Sequence, residues 1–438
     1  MIMNSLLKQL KPYPFARLRE ALQGINPPDG LVPIMLQIGE PKHPTPAVIT
    51  DALQAAGAEF AKYPLTAGLP ELRQACARWL ARRYDGLQLD AETEILPVLG
   101  SREALFSFAQ VVLDPVADDT GVVVCPNPFY QIYEGAALLG GGEVCFANSS
   151  PPRHLPDRRC VPDDVWPRVK LLLVCSPDNP SGSVMNLDDW RELFALQDRF
   201  GFIIASDECY SEIYFDDRKP LGALQAAEML GRGRKGIVMF TSLSKRSNVP
   251  GLRSGFVAGD AKLLQSFLLY RTYHGSAMSV PVQRASIAAW DDEAHVAENR
   301  RLYQAKFEQV VPVLQQVFDV KMPDASFYIW LKVPDGDDLA FAQKRTAVFS
   351  MLSDKDIDGV LEIVKDQFDE WYIAPLDVPR GMTAEALQAK LEAQNIENIQ
   401  TFTSVREAYR AALAKAGEND RIVVFGSFHT VADVMAAL

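Results

Sequence analysis

The chain has 438 residues, 48% apolar and 23% charged, which is enough for two or three domains around a large buried core. A net charge of −12 argues against nucleic acid as a partner by bulk electrostatics and leaves room only for a local basic pocket for a small anion. The six cysteines are scattered without a C-x-x-C pair, and neither an apolar leader nor a membrane-length run is found, so the expected setting is the reducing cytoplasm, with no membrane partner.

From about residue 71 to 269, helix-like and strand-like segments alternate. Residues 71–84 place Leu72, Cys76, Trp79 and Leu80 near one helical face, and Gly100-Ser101-Arg102 opens a second helix over 103–112. Short β-rich runs follow at 122–125, 171–175, 202–206 and 237–241, with helices expected at 190–200 and 221–230. Buried runs of this length between amphipathic helices predict a mostly parallel α/β sheet with helices on both faces. Ligands of such sheets sit at the carboxyl ends of the strands. A long helical pattern then runs from near 291 to 318, followed by a strand over 326–333 and a short helix through 343. From 346 a second α/β pattern begins, with strands at 347–351, 370–373 and 421–425 and helices at 357–367, 384–393 and 405–416. No flexible linker marks the join at Gln343-Lys344-Arg345, although domain boundaries usually fall in one.

Chemistry concentrates just after the predicted strands. Ser242-Leu243-Ser244-Lys245 follows one of them, with Arg253 eight positions on. A lysine desolvated beside another cation can be neutral enough to form a Schiff base, and the serine hydroxyl and arginine fork suit a phosphate dianion. Taken alone, a lysine near serines is more often a solvated surface residue. Asp207 follows the 202–206 run, with Tyr210 three positions later; a carboxylate there can keep a pyridine nitrogen protonated, and it can equally be a helix N-cap. Asn179-Pro180-Ser181-Gly182 follows the 171–175 run and is either a ring-hydroxyl contact or a plain turn.

Each motif alone is common, but together they resemble the fold-type I aminotransferases of class I and II over roughly residues 1–340. The motifs are Tyr63-Pro64-Leu65-Thr66-Ala67-Gly68, Gly100-Ser101-Arg102-Glu103, Asn179-Pro180-Ser181-Gly182, Asp207-Glu208-Cys209-Tyr210, and Ser242-x-Ser244-Lys245 with Arg253. The stretches Ile38-Gly39-Glu40-Pro41-Lys42-His43-Pro44-Thr45-Pro46 and Pro126-Asn127-Pro128-Phe129-Tyr130-Gln131-Ile132-Tyr133 look like those of the bacterial succinyldiaminopimelate transaminases. The resemblance implies pyridoxal 5'-phosphate as cofactor. It implies amino-group exchange between glutamate or 2-oxoglutarate and an amino or keto acid, N-succinyl-LL-2,6-diaminopimelate of lysine and diaminopimelate biosynthesis. It also implies roles: Lys245 carries the cofactor and shuttles the substrate proton, Asp207 pairs with the pyridinium, Asn179 and Tyr210 contact the ring oxygen, and Tyr130 stacks on the ring. The 101 helix start, with Ser101 and Arg102, would meet the phosphate together with Ser242 and Arg253. Tyr63 would reach the phosphate of a neighbouring subunit in a homodimer, and Gly39 and Asn179 would border the substrate carboxylate.

The last hundred residues depart from this pattern. The family grips its substrate carboxylate with an arginine in a V-R-I-A-L-like strand context, which none of Arg345, Arg380, Arg406, Arg410 and Arg421 occupies. Instead about 344–438 resembles the Mur-ligase-type C-terminal domain of folylpolyglutamate/dihydrofolate synthases. The resemblance is carried by Val348-Phe349-Ser350-Met351-Leu352-Ser353-Asp354-Lys355-Asp356-Ile357, Trp371-Tyr372-Ile373-Ala374-Pro375-Leu376-Asp377 and Val424-Phe425-Gly426-Ser427-Phe428-His429-Thr430-Val431-Ala432. The G-x-x-x-x-G-K-[ST] phosphate loop such ligases need does not occur in the sequence, so ligase activity is not expected. The implied organisation is an N-terminal arm at 1–45, a PLP-binding large domain at 46–290, a partial small domain at 291–342 and a Mur-ligase C-terminal-like domain at 343–438. The alternative to an active enzyme is an inactive or PLP-binding-only fusion product. Gly231-Arg232-Gly233-Arg234-Lys235-Gly236 matches G-x-G-x-x-G but precedes a strand, and Ser242-x-x-Lys245 has no K-T-G or S-D-N partner, so both alternative motifs are set aside. The five histidines lack metal-ligand spacing, and no metal is expected.

Overall fold

The computed structural model describes residues 4–21, 39–117, 120–316, 318–332, 345–365, 368–416 and 421–435. They fall into two compact units, the first taking those up to 312 with 321–330 and the second taking 313–320 and those from 331 onward.

The first unit is organised by an eight-stranded sheet of β1 (Ile95–Val98), β2 (Val122–Asn127), β3 (Glu143–Ser150), β4 (Leu155–Pro156), β5 (Val169–Cys175), β6 (Ile203–Asp207), β7 (Ile237–Ser242) and β8 (Gly255–Gly259). Their order is β1-β8-β7-β6-β5-β2-β3-β4. Strands β3, β2, β5, β6 and β7 are parallel, whereas β8, β1 and β4 join antiparallel. The central strands are apolar throughout because both faces are covered. Alternate residues serve opposite cores: Leu172, Ile204 and Met239 pack with Trp79, Trp190 and Phe202, while Leu171, Leu173, Val238 and Phe240 pack with Phe108 and Phe267. The covering helices include α3 (Pro70–Arg83), α4 (Ser101–Val112), α6 (Leu187–Phe200), α9 (Ala261–His274) and α10 (Val280–Asp291). In α6 the amphipathic spacing buries Trp190, Leu193, Phe194 and Gln197, an Asn186/Asp189 capping box starts the helix, and left-handed Gly201 stops it.

Two sequence expectations need correction. The pattern from near 291 to 318 is the single helix α11 (Ala294–Leu314), which begins three residues later than expected, after α10 ends at Asp291. Asp292 breaks the run by accepting the His295 amide at 3.0 Å and the His295 ring at 2.5 Å, so the helix restarts behind a side-chain cap. Residues 326–332 form no strand. Ser326 sits at φ 76°, its amide donates to the Ile213 carbonyl, and pairing is limited to a single bridge between Tyr214 and Ala325. Val333 and the helix expected through 343 lie outside the described residues.

The second unit holds a parallel sheet ordered β11-β10-β9-β12, formed by β9 (Arg345–Phe349), β10 (Glu370–Ile373), β11 (Ile399–Thr401) and β12 (Arg421–Phe425). Helices α12 (Ile357–Val364), α13 (Ala384–Ala393), α14 (Val405–Lys415) and α15 (Phe428–Met435) alternate with these strands. One face packs Phe349, Leu361, Trp371, Ile373, Leu387 and Leu391, and the other Val348, Tyr372, Val405 and Ala408. This is a complete α/β layer with its own two cores.

Candidate active site

The parallel strands end in a common row, with Cys175 beside Asp207 and Asp207 beside Phe240. Just beyond it, β7 gives way to the four-residue helix α8 (Leu243–Arg246), which lifts Lys245 over the strand ends. The Lys245 ammonium donates to the Gly39 carbonyl and lies 5.1 Å above the Phe327 ring. Burial pulls its pKa from 10.5 to about 8; the Cys209 thiol and Glu40 oppose that shift, and the Arg253 charge adds to it.

Asp207, the last residue of β6, is 5% exposed. Its carboxylate accepts the Tyr133 hydroxyl at 2.8 Å and the Cys209 amide at 3.3 Å. Burial raises its pKa, and every group that lowers it is a neutral hydrogen-bond donor. A buried carboxylate without a cation suits a protonated ring nitrogen. Beside it, Tyr210 shares a 2.9 Å hydroxyl contact with Tyr328 and accepts from the Asn179 amide at 3.4 Å. Tyr130 stands edge-on to Tyr133 at 5.9 Å, and burial lifts its phenol to about 12.

The anion side is built around the start of α4. Gly100 adopts φ 83°, which favours glycine, and a Cβ there would meet Arg253 Nη2 at 2.7 Å. Arg253 itself sits at φ 54° and donates to the carbonyls of Pro250 at 3.0 Å and Leu99 at 3.2 Å. The Cys209 thiol donates to Ser101 Oγ at 3.0 Å and lies 3.6 Å from Ser242 Oγ, tying the helix start to the end of β7. Helix N-terminal amides, two hydroxyls and a guanidinium form a donor set that suits a phosphate dianion. With a lysine whose pKa is lowered to about 8 and a carboxylate that has no cation partner among the described residues, these residues fit pyridoxal phosphate.

Tyr63, at 103% exposed, stands apart from this cluster. Arg102 lines a cleft with Arg253 and its charge acts on Tyr130, but its guanidinium lies over the Tyr13 ring at 5.6 Å. Four residues of the site carry no role in the sequence reading. Tyr133 closes the Pro126–Tyr133 motif but has no function assigned by it. Cys209 falls inside the Asp207-Glu208-Cys209-Tyr210 motif, which assigns it no role. Phe327 and Tyr328 lie on the segment expected to be a strand. Behind the helix start, the fully buried Arg271 donates from Nη1 to both Glu103 oxygens at 2.6 and 2.7 Å, which fixes α4 against α9.

A parallel sheet with these groups at its carboxyl ends defines a fold-type I, pyridoxal-phosphate-dependent transferase. Residues 32–357 match the family described as aminotransferase class I and II, and the chain belongs to that family. Residues 337–428 match the Mur ligase, glutamate ligase domain, so the second α/β layer is a Mur-ligase-type C-terminal domain. The LL-diaminopimelate aminotransferase of Dehalococcoides mccartyi is 33% identical over 343 residues, covering 77% of this chain and 85% of that protein. An aminotransferase structure from Neisseria meningitidis is 75% identical with a TM-score of 0.76, covering 78% of this chain and 86% of that one. A probable N-succinyldiaminopimelate aminotransferase from Thermus thermophilus is 27% identical with a TM-score of 0.64, covering 70% and 82%.

Proposed function

We propose that the chain transfers an amino group between glutamate or 2-oxoglutarate and an N-succinyl-LL-2,6-diaminopimelate-type amino or keto acid, and does so as a homodimer. The observation that carries this reading is the meeting of Lys245, its pKa lowered to about 8, with Asp207 and the Ser101/Ser242/Arg253 anion site at the ends of one sheet. Two similar proteins bear names built on diaminopimelate, which supports the substrate class. The fully exposed Tyr63 supports the dimer, because a tyrosine free of its own chain is available to a neighbouring subunit.

Bound pyridoxal phosphate supplies an electron sink that acidifies the Cα–H of an attached amino acid. Lys245 would hold the cofactor, and its amine would be the group placed to move the proton at Cα. Asp207, oriented by the Tyr133 hydroxyl, would keep the ring nitrogen protonated. Asn179 and Tyr210 would meet the ring oxygen and Tyr130 the ring. Ser101, Ser242 and Arg253 would hold the phosphate, with Arg102 contributing through the backbone of the helix start. Gly39 and Asn179 border the place for the substrate carboxylate; at Gly39 a Cβ would strike the Tyr328 hydroxyl at 2.0 Å, so only glycine fits.

A second reading, a cofactor-binding fusion product without turnover, is favoured by one observation: the Mur-ligase match begins at 337, and about a seventh of the similar aminotransferases lies outside the alignments. On that reading 1–45, 46–290 and 291–342 are the arm, large domain and truncated small domain of a transaminase, and 343–438 is foreign. The half-reaction separates the two. Glutamate and succinyldiaminopimelate should each convert the lysine-bound cofactor to the amine form, followed by absorbance. Failure with both, alongside an intact borohydride-fixed adduct at Lys245, would leave only the binding reading.

A further inference from the structure

We propose that a second cleft in the first unit binds a small oxyanion, phosphate or a dicarboxylate, at a place that shares no lining residue with the Lys245 site. The cleft has a volume of about 270 Å³ and is lined by Trp79, Arg82, Arg83, Glu212, Tyr214, Lys219, Glu293, Ala297 and Arg300. That is near the lower end of ligand pockets, so the occupant is small. Four cationic side chains, Arg82, Arg83, Lys219 and Arg300, meet two carboxylates there, although the chain as a whole carries −12.

The carboxylates are already shared. Glu212 takes Arg83 at 2.5 Å and Arg300 at 3.6 Å, while Glu293 takes the buried Arg246 at 2.7 Å and Arg82 at 3.6 Å. Asp291, on the rim, is held by Arg78 at 2.7 Å and lies 4.0 Å from Arg82. Glu208, deeper in, is satisfied by Tyr84, Ser206 and the Ala223 amide. Lys219 has no carboxylate partner among the described residues.

The observation pointing to a ligand is Arg83. Its side chain is 4% exposed, Nε and Nη2 are satisfied by Glu212 and by the Ser211 and Pro220 carbonyls, yet Nη1 is buried without a partner. A buried guanidinium N–H left unmade is costly, and an anion oxygen would complete the fork. Arg300 lines the same cleft: its Nε donates to the Glu212 carbonyl at 3.2 Å and its guanidinium lies 3.9 Å from the Tyr214 ring centre, where stacking holds the plane.

The test uses the cofactor-loaded protein, so that the Lys245 site is filled. Inorganic phosphate and, separately, malonate are titrated at constant ionic strength, with calorimetry and thermal melting as readouts and the cofactor absorption as a control. Saturable binding that raises Tm without altering the cofactor band is expected, weakened at least tenfold in Arg82→Gln/Lys219→Gln and several-fold in Lys219→Gln alone. The second variant changes only an exposed side chain and so keeps the fold. Binding of phosphate alone assigns the site to phosphate, and mutual displacement by malonate assigns it to oxyanions in general. Absence of saturable binding by either anion, or binding unchanged in both variants, overturns the proposal.

Discussion

Lys245 offers a measurement independent of turnover. Its pKa of about 8 against an ordinary 10.5 means that near pH 7 about 9% of the amine is neutral instead of about 0.03%, a gain of roughly 300-fold. The same shift costs the folded chain on the order of 3 kcal/mol, since one unit is worth about 1.4. Because the folded-state value lies below the unfolded one, the cost is full below pH 8 and fades as pH rises from about 8 towards 10.5. Reductive methylation of the cofactor-free protein with formaldehyde, quantified peptide by peptide by mass spectrometry, should show the Lys245 rate levelling near pH 8. The exposed Lys262 in the same digest serves as the internal comparison. Arg253→Gln should move the break upward, because the guanidinium pushes the lysine towards neutrality, and Glu40→Gln should move it downward. A Lys245 profile that keeps climbing to the ordinary lysine range would refute burial as the source of its reactivity, and with it the assignment of a neutral amine at the strand ends.

Gly100→Ala should weaken cofactor affinity by roughly 10- to 150-fold: its Cβ displaces Arg253, and one charge-assisted contact is worth ~1.5–3 kcal/mol. Equilibrium dialysis reads the loss, and wild-type affinity would remove Arg253 from the phosphate site. Asp207→Asn should weaken the cofactor by a similar factor and slow the glutamate half-reaction further, since an amide cannot hold a ring nitrogen in its charged form. An unchanged half-reaction rate in that variant would argue against the pyridinium pairing. Arg271→Gln breaks the ion pair between a fully buried guanidinium and the partly exposed Glu103 and should lower unfolding free energy by ~1–3 kcal/mol in urea titration. A midpoint equal to wild type would mean that α4 is anchored elsewhere.

The parallel centre of the first sheet was legible because its strands are continuous apolar runs, and Asp207 and Lys245 followed from the rule that ligands gather at their ends. The antiparallel additions β1 and β8 were not, since Leu96-Pro97 and Gly255 give no such run. The short edge strand β11 has mostly exposed residues and carried no periodic signal. The 326–332 segment was misread for a definite reason: the continuous apolar run Phe327-Tyr328-Ile329-Trp330-Leu331 suggests a strand, but the positive φ of Ser326 turns the chain so that Phe327 and Tyr328 pack on Tyr210. Cys209 was hidden because a thiol in the turn after Asp207 has no partner visible in sequence, and only the placement of Ser101 and Ser242 around it shows a hydrogen-bonding role. The two joined α/β patterns were readable as such because each carries its own alternation of strands and helices.

The two halves of the proposed site depend on the tail to different degrees. Every group assigned to the cofactor lies between Tyr63 and Arg253, on a sheet whose strands end by Gly259 and whose cores close within the same unit. Among the described residues, the groups that shift Lys245 and hydrogen-bond Asp207 (Glu40, Tyr133, Cys209 and Arg253) all belong to that unit, so cofactor attachment should be insensitive to substitutions beyond residue 343. Substrate grip is another matter, because the resembling family draws its carboxylate-binding arginine from the region that here matches a Mur-ligase domain. Losing a bidentate guanidinium removes two charge-assisted contacts at ~1.5–3 kcal/mol each, a factor of at least a hundred in affinity for any α-carboxylate. That loss falls on KM, since the carboxylate is held alike in ground and transition states. Glutamate should therefore saturate weakly, with a near-family limiting rate, if the amine and the ring carboxylate are placed as described. If both parameters match an intact relative, the carboxylate is gripped by some other residue, and substitution of Arg345, Arg380, Arg406, Arg410 and Arg421 by glutamine tests the arginines that the sequence carries beyond residue 343.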